Sequence, residues 1–560
     1  MRFDAYACTL AVVRRAMAPL CATLGVLSLP VAALRAQSAP PDRSVERAVR
    51  DFERFRHQRL PIAYGDHAPC EERVGRFCYW LDAGREMPDE PDGVAAARRR
   101  LIDSLGSAQS RAPENGWLAG QRVRYLIEAG DAPAAYAAAR ECEAERWWCA
   151  ALRGTALHAA ERVADAAAAF DSALAAAPDS ARCHLTDVSP WLDGDERDAF
   201  LRRPCPDESG ARDSAAAALW HAADPFGGRE TSEARVVFLT RRITAALLAA
   251  GARTDEQRWG DDMEELGLRY GFASRWELER SGSLNDPWSS TVIGHEPQHT
   301  TPFAPHGHAI ARFPVAGADT VLELQPRATR FRRGDSLLVV VAYDASAIAA
   351  STGGARSVRA AAALVAAAPA RAVRARADQL TGAFVLTTGR GGGAVYVDAV
   401  DTTTRRATRG QSTVAPLDLD AAVSDLLLVQ PERVRGRPDV PLDSIVDAVD
   451  ARGAVRAGDP FAIYWEAYRA PTEADSLRVE LRIVPTTLSL AARLAAALRL
   501  RQLPEPSTIV WSSPPRPDAG DGHALVVDTT GLPPGGYRVE LWLRGRGPDA
   551  MTSADLRIVR

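Results

Sequence analysis

The sequence predicts an α+β multidomain protein, with an N-terminal α-helical, repeat-like region followed by two antiparallel β-sandwich-like domains. Three observations predict it. Residues 45–280 are rich in Ala, Leu and Arg, hold eight of the twelve tryptophans and follow a helical apolar period. Within them lies an internal period of 34 residues. Past about residue 308 the apolar period falls to two, and Gly- and Pro-marked turns separate the runs.

Composition bounds the function classes. The 560 residues allow three or four domains, and 46% hydrophobic with 25% charged residues excludes wholesale disorder, a collagen and a polytopic membrane protein. Sixty-eight basic against 72 acidic residues give a net charge of −4, so no nucleic-acid partner is expected. The chain contains no lysine, which excludes Schiff-base chemistry and lysine-assisted phosphoryl transfer. With only two asparagines, Asn115 and Asn285, this skew points to a GC-rich coding bias, and the many Ala and Arg residues are weak evidence.

Residues 1–36 read as a signal peptide. Arg14 and Arg15 precede nineteen uncharged, mostly apolar residues, Ala16 to Leu34, and Leu34-Arg35-Ala36 places a small residue before Gln37. An uncleaved anchor is the alternative, since nineteen residues can just span a bilayer; Pro19, Pro30 and the many alanines weigh against it. Ala18 stands where a lipoprotein site at Cys21 would have leucine. No later stretch is long and apolar enough to span, so the mature chain is expected to lack a transmembrane span and to be periplasmic, outer-envelope associated or secreted.

Six cysteines remain after such cleavage: Cys70, Cys78, Cys142, Cys149, Cys183 and Cys205. An even number, all before residue 206, suits an oxidising compartment. Pairing of neighbours (70–78, 142–149, 183–205) is the simplest of fifteen connectivities, and the sequence leaves the choice open. No CxxC pair exists and the spacings do not match a zinc ribbon, so disulfides are favoured over metal.

The helical half divides into three. An N-terminal helical segment, 37–113, carries Cys70 and Cys78. Over 114–180, Gly120 and Gly154, Tyr136 and Phe170, and Ala139 and Ala173 each differ by 34. The second copy adds Leu157, Ala166 and Pro178 where a tetratricopeptide repeat places a large apolar residue, a small residue and a helix-ending proline, so the stretch resembles a tetratricopeptide pair. A generic helical bundle is the alternative. Two units are too few to stand alone, and flanking helices at Ala97–Ser104 and Ser214–His221 are expected to cap them. A further helical region spans 181–280, and a Pro- and His-rich stretch, 281–307, reads as an extended connector.

Two β-domains follow. In the first, 308–430, strands are expected at Ser336–Ala342, Gly382–Thr388 and Ala394–Ala399, the last two flanking the Gly391-Gly392-Gly393 turn. In the second, 431–560, they are expected at Pro460–Tyr468, Leu477–Val484, Thr508–Trp511, His523–Val527, Tyr537–Leu543 and Ala554–Val559. Leu532-Pro533-Pro534-Gly535-Gly536-Tyr537 is a tight turn delivering a tyrosine into a strand, common in immunoglobulin-like sandwiches. An inserted helix is expected at 488–502, with Leu490, Leu494 and Leu498 on one face; capping a sandwich end is favoured over lying on a membrane.

At Leu219–Gly271 a family resemblance enters. Trp220-His-Ala-Ala-Asp224-Pro225, Glu233, Arg241-Arg242 and Gly251-Ala252-Arg253-Thr254-Asp255 resemble the bacterial GWxTD-domain family. That family carries a W-x-x-x-D-P segment, an acidic helix and the G-W-x-T-D motif ahead of an R-Y-G segment, here Arg269-Tyr270-Gly271. Ala252 occupies the tryptophan position, so the motif is degenerate, and Trp259 is expected to fill the space of the missing ring. Ser424–Leu428, Ile463–Tyr468 and Leu532–Tyr537 look like the β-domain that follows in such proteins. The resemblance implies an exported or envelope protein and brings no catalytic residue.

One segment matches an enzymatic motif. His295-Glu296-Pro297-Gln298-His299 fits H-E-x-x-H, which works when a helix presents both imidazoles on one face. Pro297 removes a helical hydrogen bond and pushes Glu296 towards extended structure, so a zinc protease is disfavoured. With His306 and His308 nearby, His295, His299, His306 and His308 are the candidate metal ligands, on an irregular loop. The acidic cluster Asp255-Glu256, Asp261-Asp262 and Glu264-Glu265 lacks the alternating ligands of a calcium loop and reads as a solvated helix start. Trp147-Trp148 reads as a wedge in the repeat packing.

The expected role is non-enzymatic: an exported envelope or cell-surface protein acting as a protein-binding or scaffolding module, with protein partners in the envelope and no cofactor. The alternative is a metal-binding protein or metal-dependent hydrolase centred on His295–His308. A glycan-binding reading rests on the number of tryptophans alone.

Overall fold

A computed structural model describes residues 43–64, 70, 72–79, 88–192, 194–207, 209–226, 232–280, 290–295, 315, 318, 320–349, 357–367, 370–468, 477–487, 506–513, 522–544 and 549–560. The expected signal peptide at 1–36 and the expected inserted helix at 488–502 lie outside them. The described chain is mixed α and β, with the helices first and most of the sheets after.

Among the described residues, eleven helices build the N-terminal half: α1 (Arg43–His57), α2 (Val94–Arg111), α3 (Gly116–Glu128), α4 (Ala132–Arg140), α5 (Arg146–Ala159), α6 (Val163–Ala176), α7 (Asp179–Leu185), α8 (Gly194–Leu201), α9 (Ala211–Ala223), α10 (Glu233–Ala250) and α11 (Asp261–Tyr270). Local chemistry sets the starts of α3 and α4. The Asn115 side chain accepts from the Trp117 and Leu118 amides, and Asp131 accepts from the Ala134 amide ahead of α4, which carries Pro133 in its first turn. The glycines of the 34-residue period sit at close approaches. A Cβ on Gly154 would lie 2.8 Å from the Phe170 ring, and one on Gly120 2.6 Å from Leu247 of α10. Helices α3–α6 thus form two hairpins over the 114–180 stretch, with Trp147, Trp148, Phe170 and many alanines buried between them and α10.

Three expectations for this half are corrected. The 37–113 segment is not all helix: β1 (Ile62–Tyr64), β2 (Glu72–Val74) and β3 (Phe77–Tyr79) lie inside it. The 181–280 region ends in β4 (Arg275–Arg280), and the 281–307 connector contains β5 (Ser290–His295). β1, β4 and β5 share a sheet, in which β4 pairs parallel to β1, across some two hundred residues, and antiparallel to β5, while β2 and β3 pair with each other. The strand β4 alternates, with Glu277 and Glu279 buried on one face. The three disulfides join neighbours, Cys70–Cys78, Cys142–Cys149 and Cys183–Cys205, at Cα separations of 5.6, 5.6 and 5.7 Å.

The first β-domain contains β6 (Thr320–Glu323), β7 (Arg327–Arg333), β8 (Ser336–Asp344), β9 (Val358–Ala367), β10 (Ala370–Ala377), β11 (Thr381–Thr388), β12 (Gly393–Asp401) and β13 (Arg406–Val414). They form one sheet in the order β10-β9-β12-β13-β6 and another in the order β11-β8-β7. Val339, Val341, Leu364, Phe384, Val395 and Val397 from both sheets share a core.

The second contains β14 (Leu427–Val429), β15 (Ala454–Arg456), β16 (Phe461–Glu466), β17 (Leu477–Thr487), β18 (Ser507–Ser513), β19 (Gly522–Val527), β20 (Gly535–Arg544) and β21 (Ala550–Val559). Here the sheets run β14-β16-β19 and β15-β21-β20-β17-β18. The boundary expected at 430 falls earlier, because β14 pairs with β16 and belongs to the second domain.

A further apolar layer joins the two β-domains. Phe331 of β7 and Val340 and Ala342 of β8 pack against Leu427, Val440 and Tyr464, among others. This explains why β8 and β16 read as unbroken apolar runs: each strand is buried on both faces. At the edge of this layer Arg330 grips Asp425 through two bonds of 2.7 and 2.8 Å, and Arg333 grips Glu466 through two of 2.6 and 2.8 Å.

Candidate functional site

The G-A-R-T-D stretch leaves the end of α10 and enters a buried ion network between α1 and α3. Thr254, fully buried, donates to Glu53 Oε2 at 2.6 Å and accepts from Arg56 Nε. Glu53 also accepts from Arg56 (2.6 Å), Arg124 (3.0 Å) and the Tyr125 hydroxyl (2.7 Å). Glu128 closes the circuit with Arg56 at 3.0 Å and Arg124 at 2.9 Å. Two carboxylates face two guanidinium groups, so the charges balance. Burial opposes the charge on Glu128, yet Arg56, Arg124 and Arg98 outweigh it and hold its carboxyl down at about 2.

The rest of the stretch is held as tightly. A Cβ on Gly251 would lie 2.7 Å from Gln121 Oε1 and 2.9 Å from the Arg124 guanidinium, so a side chain there would displace the ends of both. Arg124 also donates to the Ala252 carbonyl at 3.0 Å, and the Thr254 carbonyl accepts from His57 Nδ1 at 2.8 Å. Asp255 accepts from the Gln257 amide at 2.9 Å and builds the following turn. Trp259 does not take the missing ring's place. It stacks with Phe272 and lies beneath Arg253, whereas the ring at the C-terminal end of α10 is Trp117, whose indole N–H donates to the Ala250 carbonyl at 3.0 Å.

The other residues of the resemblance also lie in packing contacts and hydrogen bonds. Arg269 donates to the Pro190 carbonyl at 2.8 Å and pairs with Glu72 and Glu265. Tyr270 stacks on Tyr79 with ring centroids 3.7 Å apart, and burial pushes its hydroxyl well above the ordinary tyrosine range. Gly271, at φ +100°, ends α11 in a conformation that favours glycine. Trp220 packs edge-on to Trp191 and beside Phe238, joining α9 to α10. Asp224 and Pro225 follow α9, where the helix meets the first β-domain. There Arg409, gripped by Asp398 at 2.5 and 2.7 Å, donates to the Ala223 carbonyl; Arg376 donates to the Phe226 carbonyl and Arg374 to His221 Nδ1 at 2.8 Å. The negative end of the helix is thus met by arginines from the sheet.

Sequence reasoning missed Glu53, Arg56, Arg124 and Glu128. A signal existed: Glu53 and Arg56 continue the stripe Val45, Val49, Phe52 on α1, placing charges on an apolar face. The acidic cluster is also corrected, since it is not simply solvated. Asp262 is held by Arg76, whose hydrogen bond brings its carboxyl down to about 2, and Glu264 is buried against Arg242 at 2.5 Å and His184 at 3.3 Å. Trp147 and Trp148 form a buried edge-to-face pair with centroids 5.6 Å apart.

Of the histidine candidates, His295 ends β5, with Nε2 3.2 Å from Glu277 Oε1. His299, His306 and His308 lie outside the described residues. Among the described residues no group of three or more His, Cys, Asp and Glu side chains is arranged to hold a metal ion, and no helix is long and apolar enough to cross a membrane.

No protein-family model matches the sequence, and no curated protein does. Solved structures match in part. The FN1–FN3 domains of chicken CNTN1 share 10% identity, with 44% of this chain and 68% of that one covered and a TM-score of 0.15. A two-domain fibronectin type-III segment of chicken tenascin shares 10%, over 41% and 98%, at a TM-score of 0.13. Escherichia coli alpha-2-macroglobulin activated by porcine elastase shares 10%, over 42% and 23%, also at 0.13.

Proposed function

We propose that this chain is a non-enzymatic, exported envelope or cell-surface protein that holds a protein partner on its helical half and is a divergent relative of the GWxTD-domain proteins. One observation carries the reading: the motif residues serve the frame. Thr254 is buried against α1, Arg269 and Tyr270 are buried against Pro190, Glu72 and Tyr79, and Trp220 and Asp224 lie where α9 docks on the β-domain. Residues so committed are not available to turn over a substrate. Three disulfides support an oxidising destination. The hairpins α3–α4 and α5–α6 follow the spacing of tetratricopeptide units, which stack into binding surfaces. The Tyr537 hydroxyl donates to the Pro533 carbonyl at 2.6 Å, four residues upstream, the corner found in immunoglobulin-like sandwiches, and supports that fold for the β-domains.

The test is site-specific photo-crosslinking in cells of the native host. A crosslinking amino acid replaces exposed Ala137 on α4 or exposed Ala168 on α6. One discrete adduct of the same mass from either position is expected. Illumination that leaves both variants uncrosslinked overturns the partner reading. A competing metal centre would use His295 with the neighbouring histidines, and its proximity to Glu277 is the observation in its favour. Elemental analysis of the untagged protein is expected to find no stoichiometric zinc or copper; a full equivalent, lost in a His295→Ala/His299→Ala double variant, would establish the metal reading instead.

A further inference from the structure

We infer that the cleft between the α8–α9 pair and the first β-domain binds an aliphatic chain ending in an anionic head group. The cleft measures about 650 Å³, inside the roughly 300–1,000 Å³ range of small-molecule sites, which favour such junctions. One wall is helical. Ala215, Ala218, Leu219 and Ala222 recur at the i, i+3, i+4, i+7 spacing of one face of α9, and Glu196, Ala199, Phe200 and Arg203 repeat it along α8 and its extension. The facing wall is the outer surface of β9, β12 and β13.

The space exists because both walls are built from small residues: Ala218 and Ala222 face a sheet surface carrying Gly393, Ala394 and Gly410. Buried Phe200, Leu219 and Val365 make its lining apolar. The polar groups are unequal. Glu196, Tyr396 and Arg409 are already engaged by the protein, Arg409 through both oxygens of Asp398. The guanidinium of Arg203 has no hydrogen bond or ion pair among the described residues; only its backbone is engaged, the amide donating to the Phe200 carbonyl and the carbonyl accepting from Arg212. An apolar cleft beside one unmatched cation favours a ligand whose body leaves water and whose head accepts a charge-assisted hydrogen bond. The inference rests on this cleft and not on the partner reading, whose crosslinking positions lie on α4 and α6.

The test titrates the full chain with dodecanoate and dodecyl phosphate, kept below the concentrations at which they form micelles, and with dodecanol as the uncharged control. Displacement of a fluorescent fatty acid supplies the readout. Saturable binding of at least one acid at a single site is expected. Arg203→Gln is expected to weaken that acid about tenfold and to change dodecanol by less than about twofold. Ala218→Phe, which fills the cleft from a half-buried position, is expected to weaken both ligands at least about tenfold. Circular dichroism and thermal midpoints check that each variant is folded, and Arg203→Gln, at a partly exposed site, keeps the test open should Ala218→Phe misfold. Absence of saturable binding, equal loss of acid and alcohol in Arg203→Gln, or unchanged affinity in a folded Ala218→Phe would overturn the proposal.

Discussion

At the scale of single residues, the hydroxyl of Thr254 joins two of the four charges of the buried network. It donates to Glu53 and accepts from Arg56, and both partners are almost wholly buried. Thr254→Val keeps the shape and removes only the hydrogen bonds, so it isolates their contribution. A loss of about 1–3 kcal/mol is expected in urea unfolding, with Thr254→Ser restoring most of it. Glu53→Gln is a harsher change, because it leaves Arg56 and Arg124 with one buried carboxylate between them; a loss of about 3–5 kcal/mol is expected. The network also titrates. Glu128 ionises at about 2 in the folded chain, below the ordinary value near 4.5, so its contribution is present above about pH 4.5 and is lost as the pH falls towards 2. This network was invisible to motif reading because its members lie at residues 53, 56, 124, 128 and 254, and only the last belongs to a recognisable pattern.

At the scale of elements, α9 shows how a helix end becomes a joint. Arg374 can only donate, so His221 must accept through an unprotonated Nδ1. Burial first, and the neighbouring Arg374 second, push the His221 pKa below its ordinary value; burial and Arg241 bring that of His158 on α5 down to about 4. For both, the folded pKa lies below the unfolded one. Their stabilisation is therefore full above about pH 6.5 and is lost as the pH falls, to roughly pH 4 for His158, a loss on the order of 2 kcal/mol by pH 5. Thermal midpoints of the wild type are expected to drop between pH 7 and pH 5, and those of His158→Gln and His221→Gln to drop less. An equal slope in all three would assign the pH dependence elsewhere. Elements differed in how plainly the sequence announced them. Strands such as β11 and β20 were legible because one face is buried and the other wet, which imposes a period of two. The three-residue strands β1, β2 and β3 were not, since so short a run has no period and β1 forms only by pairing with β4 far along the chain. The strand β14 was placed in the wrong domain for a related reason: its three buried apolar residues fit either core, and only its pairing with β16 decides.

At the scale of the whole molecule, the two β-domains are joined by an apolar layer, and their unfolding is expected to be one event. Phe331 is the test residue. It is fully buried, it belongs to the first domain through β7, and its ring lies 5.8 Å from that of Tyr464 in the second. The surrounding Val434, Val440, Leu442 and Ile445 come from the segment between β14 and β15, so this stretch folds onto both domains at once. Phe331→Ala empties the centre of the layer and is expected to cost about 3–5 kcal/mol. The nearby bidentate pairs Arg330–Asp425 and Arg333–Glu466 remain in that variant, but part-exposed ion pairs cannot replace a buried ring. The consequence goes beyond a lower midpoint. Once the shared layer fails, each domain retains its own two-sheet core, so calorimetry is expected to resolve the β-half into two transitions in the variant where the wild type shows one. A single transition, merely shifted down, would mean that the ion pairs and the chain crossing at residues 415–426 suffice to couple the domains and that the apolar layer contributes stability alone.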